Sequence, residues 1–148
     1  MKNIKIANFE ISNNNNFTLI AGPCVMESES HSLMMAEKIA TICQKLKINF
    51  VFKSSFDKAN RSSIKSDRGI KLDDALKIFE KIKTNFNLPI LTDVHNEDQC
   101  NQLKQDSIID IIQIPAFLCR QTDLLLAAGS TNKIINVKKG QFLSPTDV

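Results

Sequence analysis

Several absences narrow the class of protein before any motif is considered. The four cysteines include no CxxC pair, and the N-terminus lacks the charged-then-apolar stretch of a secretion signal. We therefore expect a reduced, cytoplasmic setting. The longest apolar runs, such as residues 124–128, fall far short of the roughly 20 residues that a membrane span requires. A membrane protein is not expected.

An excess of charge of one sign is also missing. Nineteen Lys and Arg against 16 Asp and Glu leave a net charge of +3, without a long basic run, so the charge implies no binding to nucleic acid or to a membrane surface. The 43% of hydrophobic and 24% of charged residues are typical of a globular protein, which argues against disorder, collagen-like repeats and a coiled coil. The length of 148 residues suits one domain or part of a larger one.

What the chain does contain is an alternation of short apolar segments with longer segments of helical spacing. The segments that predict strands are residues 17–21, 50–53, 90–92, 108–114 and 134–137. Those that predict helices are residues 33–46, 73–85, 96–105 and 117–128. Five βα steps in order predict an α/β fold with a parallel sheet. Ahead of them, residues 2–11 predict an exposed strand or hairpin, and the Asn-rich run 13–16 predicts a solvated loop.

The first helix carries two further predictions. Ser28 and Ser30 are candidate N-caps. Its inward face is predicted to consist of residues three and four apart, namely Leu33, Ala36, Ile39, Ala40, Cys43 and Leu46.

A polar or reactive side chain follows each predicted strand. These residues are Cys24, Lys53, Asp93 with His95, Gln113, and Lys138 with Lys139. The carboxyl ends of parallel strands lie on one face of the sheet, where active sites of α/β proteins are built. We therefore expect these groups to converge on a site. The alternative is that each strand merely ends in a polar residue.

Arginine is scarce, with three residues against 16 Lys. Arg61, Arg68 and Arg120 all fall in predicted βα loops or at the start of the helix after the fourth strand. Guanidinium binds phosphate through a planar fork that an ammonium lacks, so these positions favour phosphate recognition. The loop 53–63 places three cations among hydroxyls and amides, as a multiply anionic small molecule requires. A solvated basic loop is the alternative.

Longer motifs resemble a known family. They are FKSSFDKANRSS at 52–63, AGPCVMES at 21–28, TDVH at 92–95, QIPAFLCRQTDLL at 113–125 and NVKKGQFLSP at 136–145. Together they are similar to the 3-deoxy-D-manno-octulosonate 8-phosphate synthases, also called 2-dehydro-3-deoxyphosphooctonate aldolases. The KANRSS run separates this family from the related 3-deoxy-D-arabino-heptulosonate 7-phosphate synthases, which typically carry a KPRTS-like segment.

The resemblance implies condensation of phosphoenolpyruvate with D-arabinose 5-phosphate and water, which releases phosphate and serves lipopolysaccharide inner-core synthesis. It also implies a cytoplasmic homotetramer of (β/α)8 TIM barrels, each preceded by a hairpin. On this basis residues 1–148 form a single incomplete TIM-barrel domain, with the hairpin and Asn-rich loop at 1–16 and five βα units at 17–148.

A complete barrel of this kind typically has about 250 residues. We therefore expect the 148-residue chain to lack synthase activity and to associate or aggregate through open sheet edges. The alternatives are a heptulosonate synthase, or a non-catalytic remnant that binds phosphate ligands weakly.

The resemblance also assigns individual residues. Around phosphoenolpyruvate it places Lys53, Lys58, Gln113 and Lys138, and around arabinose 5-phosphate it places Asn60, Arg61 and Ser62. Asp93 would lie near the sugar and act with Lys58 and Lys138 in catalysis, and Arg120 would reach a neighbouring subunit's site.

Cys24 matches the family position that distinguishes metal-dependent members, so the resemblance implies a divalent cation at this thiol. A buried, unligated thiol is the alternative. The family's other metal ligands lie after the fifth strand, and neither His31 nor His95 corresponds to its metal histidine. A second departure is the segment RGIKL at 68–72, where family members usually have RGPGL.

Overall fold

Two sheets organise residues 3–147, the part of the chain that the computed structural model describes. Strands β1 (Ile4–Ile6) and β2 (Phe9–Ile11) form an antiparallel hairpin. The second sheet is parallel and has its strands in chain order: β3 (Thr18–Ala21), β4 (Asn49–Lys53), β5 (Ile90–Asp93), β6 (Ile111–Ile114) and β7 (Ile134–Val137). The predicted hairpin and five parallel strands are confirmed, although residue 2 of the predicted hairpin segment lies outside the described residues.

Helices cover the outer face of the parallel sheet. They are α1 (Glu29–Leu46), α2 (Leu72–Phe86), α3 (Glu97–Lys104) and α4 (Thr122–Gly129), with single 3-10 turns at Ala116–Leu118 and Pro145–Asp147. Five parallel strands joined by helices form a curved half-barrel, so the predicted α/β fold of a partial TIM barrel is confirmed. None of the helices described is long and apolar enough to cross a membrane.

The alternation of side chains along each strand separates the core from the concave face. In β4, Phe50 and Phe52 pack with the helices in the main core, whereas Val51 belongs to a second cluster on the other face of the sheet. The main core includes the edge-on pair of Phe52 and Phe79, whose ring centroids lie 6.4 Å apart. Burying each such ring contributes roughly 1.5–3 kcal/mol, so this layer provides much of the driving force for folding.

The N-terminal hairpin covers part of the concave face. Ile6, which is 3% exposed, packs with Val51, Leu91 and Ile111 on the inward side of the strands. The next inward residue of β5, two positions along the strand, is Asp93. The hairpin therefore closes the apolar end of the concave face and leaves the polar end uncovered by this cluster.

Two expectations for α1 are wrong. Ser28 is the N-cap and accepts a hydrogen bond from His31 N at 3.2 Å, whereas Ser30 lies inside the helix, because only Ser28 has the extended backbone of a cap. Leu46 is 62% exposed rather than inward, since it occupies the last turn, just before Lys47 ends the helix in the left-handed conformation.

The expected helix at 117–128 is also wrong in its first half. A 3-10 turn at Ala116–Leu118 is followed by α4, which begins only at Thr122. The polar run at 120–123 interrupts the three-and-four apolar spacing that an inward-facing helix requires. The strand expected at 108–114 begins at Ile111, because the backbone amides at 108 and 109 both donate to Asp106 Oδ1 at 2.8 Å and form a turn.

Candidate active site

A cavity of about 360 Å³ lies at the carboxyl ends of β4 to β7. Of the seven strand-end residues expected to converge, five line the cavity, namely Lys53, Asp93, His95, Gln113 and Lys138, whereas Cys24 and Lys139 do not. Two residues that the resemblance assigns, Lys58 and Asn60, also line it, and the remaining lining includes Ser55, Asp57, Phe117 and Gln141. The volume suits a small molecule, and the expected convergence of polar strand ends is found at this cavity.

The pleat of the sheet places these side chains. Asp93, Gln113 and Asn136 are register partners on β5, β6 and β7, so all three lie on the inward face. Asn136 Nδ2 donates to Gln113 Oε1 at 3.0 Å. This bond orients the Gln113 side chain so that its Nε2 can donate to a ligand. Sequence reasoning did not single out Asn136, although its position two residues after Ile134, which packs on the inward cluster, signals the same face.

Two lysines share one buried hydroxyl. Lys53 Nζ donates to Ser55 Oγ at 3.0 Å, and Lys58 Nζ donates to the same oxygen at 2.9 Å. Burial lowers the pKa of Lys53, and the positive charge of Lys58 lowers it further, while the carboxylate of Asp93 opposes both effects. Ser55 was also not singled out in the sequence, where it is one of several serines in a polar loop.

Asp93 and His95 form a second polar pair at the end of β5. The carboxylate Oδ2 accepts a hydrogen bond from His95 Nε2 at 3.2 Å, and Phe56 packs edge-on against the imidazole at 5.6 Å. Burial favours the neutral carboxyl, but hydrogen bonds from His95 and Ser55 and the charge of Lys53 outweigh it and hold the pKa of Asp93 below its ordinary value. Within residues 3–147, Asp93 Oδ1 is buried without a hydrogen-bond partner, so it is available to a ligand donor.

A glycine brings β3 close to the site. A Cβ at Gly22 would lie 2.0 Å from the carbonyl oxygen of Lys53. Any larger residue would push apart the ends of β3 and β4, and Lys53 is the last residue of β4. The close approach therefore helps to fix the Lys53 backbone.

Four of the residues assigned by resemblance lie outside the cavity lining. Arg61 and Ser62 are on an exposed loop, where Arg61 Nε donates to the carbonyl of Asp67 at 3.0 Å, and Arg120 and Cys24 are also exposed. The alternative of a solvated loop thus describes this tip, whereas the loop's lysines lie in the site. The roles of these four residues stay predictions.

Hydrogen bonds and an ion pair between residues 57–58 and residues 68–69 hold the two ends of that loop together. Lys58 N donates to Arg68 O at 2.7 Å, and the Arg68 guanidinium forms an ion pair with Asp57, with Nε 2.9 Å from Oδ1. Gly69 forms a bridge with Asp57 at φ +110°, a conformation that suits glycine. Ile70, where the family usually has Pro, packs against the main core.

The residues described do not by themselves fit a divalent-metal centre. Cys24 is exposed, so the alternative of a buried thiol is wrong. No group of three or more His, Cys, Asp or Glu in the described part of the chain could hold a metal ion. Because a specific site usually takes at least three protein ligands, a cation at Cys24 would need ligands from elsewhere.

A cation-lined cavity at the carboxyl ends of a curved parallel sheet is the arrangement of a small-molecule site in an α/β barrel. The model of the DAHP synthetase I family matches residues 3–148, and the chain belongs to this family. Three similar curated proteins, from Rickettsia typhi, Rickettsia prowazekii and Bartonella quintana, are each named 2-dehydro-3-deoxyphosphooctonate aldolase.

The first two are 55% and 54% identical over 147 residues, covering 99% of this chain and 53% of each relative. The third is 54% identical over 145 residues, covering 98% of this chain and 51% of the relative. The family resemblance is therefore confirmed over nearly the whole sequence. The chain spans about half the length of these relatives.

Proposed function

We propose that this chain forms the phosphoenolpyruvate side of a synthase that condenses phosphoenolpyruvate with D-arabinose 5-phosphate and water. The products would be 3-deoxy-D-manno-octulosonate 8-phosphate and inorganic phosphate. The observation that carries the proposal is the cavity at the strand ends, where Lys53, Lys58 and Lys138 surround one buried carboxylate. The printed name of the curated relatives supports the same reaction class.

The charges suit this chemistry. Phosphoenolpyruvate carries a carboxylate and a phosphate, which the three ammoniums of the cavity would neutralise and orient, while the Gln113 amide would donate a further hydrogen bond. Asp93, with its unpaired buried oxygen, would accept a hydrogen bond from a sugar hydroxyl. Fixed charges that hold two reacting carbons in place supply much of the rate in such condensations.

The second substrate would bind further out along the same loop. Asn60 lines the cavity, and Arg61 and Ser62 follow it on the exposed tip, where a guanidinium and a hydroxyl could hold the phosphate of arabinose 5-phosphate. Exposed Arg120 would contact the site of a neighbouring copy in a homotetramer. The assembled enzyme would be cytoplasmic and would take part in lipopolysaccharide synthesis.

A divalent ion at Cys24 also belongs to the proposal, with its other ligands supplied from beyond residues 3–147.

Calorimetry with phosphoenolpyruvate tests the site on the 148-residue chain. We expect Lys138→Ala to weaken binding about tenfold, because a cation that lines the cavity is lost. Lys139→Ala is the matched control, since Lys139 Nζ donates to the carbonyls of Gly140 and Leu143 at 2.8 and 2.7 Å and does not line the cavity. Equal effects of the two substitutions would contradict the assignment of the cavity.

Phosphate release tests the reaction. With both substrates present, the synthase proposal requires arabinose 5-phosphate to be preferred over erythrose 4-phosphate, and the reverse preference would indicate a heptulosonate synthase. The 148-residue chain alone is expected to bind without turnover. Binding without turnover, even when the remaining half of a curated relative is supplied as a second chain, would favour the non-catalytic alternative.

A further inference from the structure

The Ser55 hydroxyl lies between two positive charges. Its Oγ accepts hydrogen bonds from Lys53 at 3.0 Å and Lys58 at 2.9 Å, and the residue is fully buried. The two ammonium nitrogens are therefore no further apart than the sum of these distances. Like charges at such a separation repel each other, and the repulsion is stronger away from bulk water. Their proximity requires an interaction that offsets the repulsion.

One hydroxyl can provide that interaction. A serine oxygen has two acceptor lone pairs and one hydrogen to donate. When both lone pairs face ammoniums, the hydrogen is left for the Asp93 side, and an interaction with the Ser55 hydroxyl is among the causes that lower the pKa of Asp93. A single uncharged group thus connects Lys53 and Lys58 with the carboxylate beside them.

The position of this hydroxyl is fixed by backbone contacts rather than by the lysines. Ser55 O accepts a hydrogen bond from Met26 N at 2.8 Å, and Val25 pairs with Ser55 in a parallel bridge. The preceding Ser54 is equally buried, but its Oγ donates to the carbonyl of Pro23 at 3.0 Å and bonds to no lysine within residues 3–147. The two neighbouring serines therefore have different surroundings and offer a matched comparison.

We propose that Ser55 is a positioning residue for the bound anion, whose hydroxyl holds the Lys53 and Lys58 ammoniums close enough to donate to one carboxylate or phosphate group of the ligand. Each ammonium has three hydrogens, so it can keep its bond to Ser55 and still donate to a ligand oxygen. The lysines then need little rearrangement when the anion binds, which reduces the cost of binding. The identity of that anion rests on the proposed function.

A titration without substrate tests the positioning role. The carbon and nitrogen resonances of Lys53 and Lys58 are followed by NMR against pH in wild type, Ser55→Ala and Ser54→Ala. Loss of its hydrogen bond to Ser55 Oγ is expected to lower the pKa of Lys53 in the first variant, whereas the second variant should leave it unchanged. The other titratable groups facing these lysines, which must be followed in the same spectra, are Cys24, Asp57, Asp93, His95 and Lys138.

Calorimetry with phosphoenolpyruvate measures whether the Ser55 hydroxyl also affects ligand binding. Ser55→Ala is expected to weaken binding about tenfold, and Ser55→Thr, which keeps the hydroxyl, is expected to retain the wild-type titration of Lys53. An unchanged pKa of Lys53 in Ser55→Ala would overturn the inference. If wild type does not bind phosphoenolpyruvate but the titrations shift as expected, the proposed function fails and the positioning role stands.

A measurement on wild type alone guards against a variant that does not fold. The Nζ hydrogens of Lys53 and Lys58 should exchange with water more slowly than those of an exposed lysine such as Lys65, because they are held on a buried oxygen. Exchange of all three at the same rate would also overturn the inference.

Discussion

Substitution of Asp110 should destabilise the protein far more than substitution of an equally charged surface residue. Asp110 precedes β6 at the amino end of the sheet, away from the cavity. Its carboxylate accepts hydrogen bonds from Lys83 Nζ, at 2.9 Å to Oδ1 and 2.8 Å to Oδ2, and from the backbone N of Ile90, at 2.8 Å to Oδ2. One side chain thus joins α2, the start of β5 and the approach to β6.

The expected magnitude follows from the groups left behind. Ile90 is fully buried, and a buried N–H without an acceptor costs about 1–3 kcal/mol. Lys83 would keep its hydrogen bonds to the carbonyls of Ser107 and Ile108 but lose its charged partner. That loss should lower the free energy of unfolding by about 1 kcal/mol more. Asp110→Ala should therefore cost about 2–4 kcal/mol. Asp110→Asn keeps an oxygen for Ile90 and should cost about 1 kcal/mol.

Urea unfolding at neutral pH measures this difference. With a slope of about 2 kcal/mol per M, which is typical of urea unfolding, Asp110→Ala should lower the midpoint by about 1–2 M. The control is Asp74→Ala, which breaks an exposed ion pair with Lys77 and should leave the midpoint unchanged. Equal midpoints for Asp110→Ala and Asp74→Ala would refute the argument that the buried amide, rather than the charge, sets the cost.

Two further predictions concern the site and its support. Gly22→Ala should cost more than about 2 kcal/mol in urea unfolding, because its Cβ meets the Lys53 carbonyl at 2.0 Å, whereas Gly129→Ala, with open space around it, should be neutral or stabilising by up to about 1 kcal/mol. Because the folded-state pKa of Asp93 is lowered, its contribution to stability is complete above the unfolded pKa of about 3.9 and is lost as pH falls through the folded value. Asp93→Asn should therefore make the free energy of unfolding fall less steeply as the pH is lowered. An unchanged acid dependence would contradict the lowered pKa of Asp93.

The strands, and the edge of the sheet that carries the candidate site, were predictable because both follow from the spacing of apolar residues along the chain. Apolar residues recur at the spacing of buried strands, and the polar residue that ends each strand must lie at the carboxyl edge. Lys53, Asp93 and Gln113 could thus be placed in one cavity without a structure. The alternation within β4 also separates its core residues from those facing the concave side.

The remainder depends on contacts between residues distant in sequence. Asn136 orients Gln113 from 23 residues away, and no local pattern reports that distance. Ser55 is indistinguishable in sequence from Ser54, because their difference arises only when the segment after β3 pairs with Ser55. The 3-10 turn at Ala116–Leu118 was hidden by a run of apolar residues that fits either a helix or a turn.

Charges are handled in opposite ways at the two ends of the sheet. At the amino end, Lys83 is neutralised by Asp110, and Lys133 donates to the carbonyls of Asp106 and Ile109 at 2.6 and 2.7 Å. At the carboxyl end, the positive charges outnumber the buried carboxylate, and an oxygen of Asp93 lies buried and unpaired within the described residues. Pairing offsets the desolvation cost of a buried charge, whereas incompletely paired buried charges cost stability unless a ligand completes them.

This difference gives an independent criterion for the site. An anion that binds the folded protein should raise its stability by mass action. If the carboxyl end is the site, phosphoenolpyruvate should protect the Asp110→Ala protein as well as wild type, because the amino-end defect leaves the cavity intact. The same ligand should protect Lys138→Ala less, although that substitution removes an exposed side chain and should cost little stability on its own. Stability and ligand protection would then vary independently, which is expected only if the two ends of the sheet have separate roles.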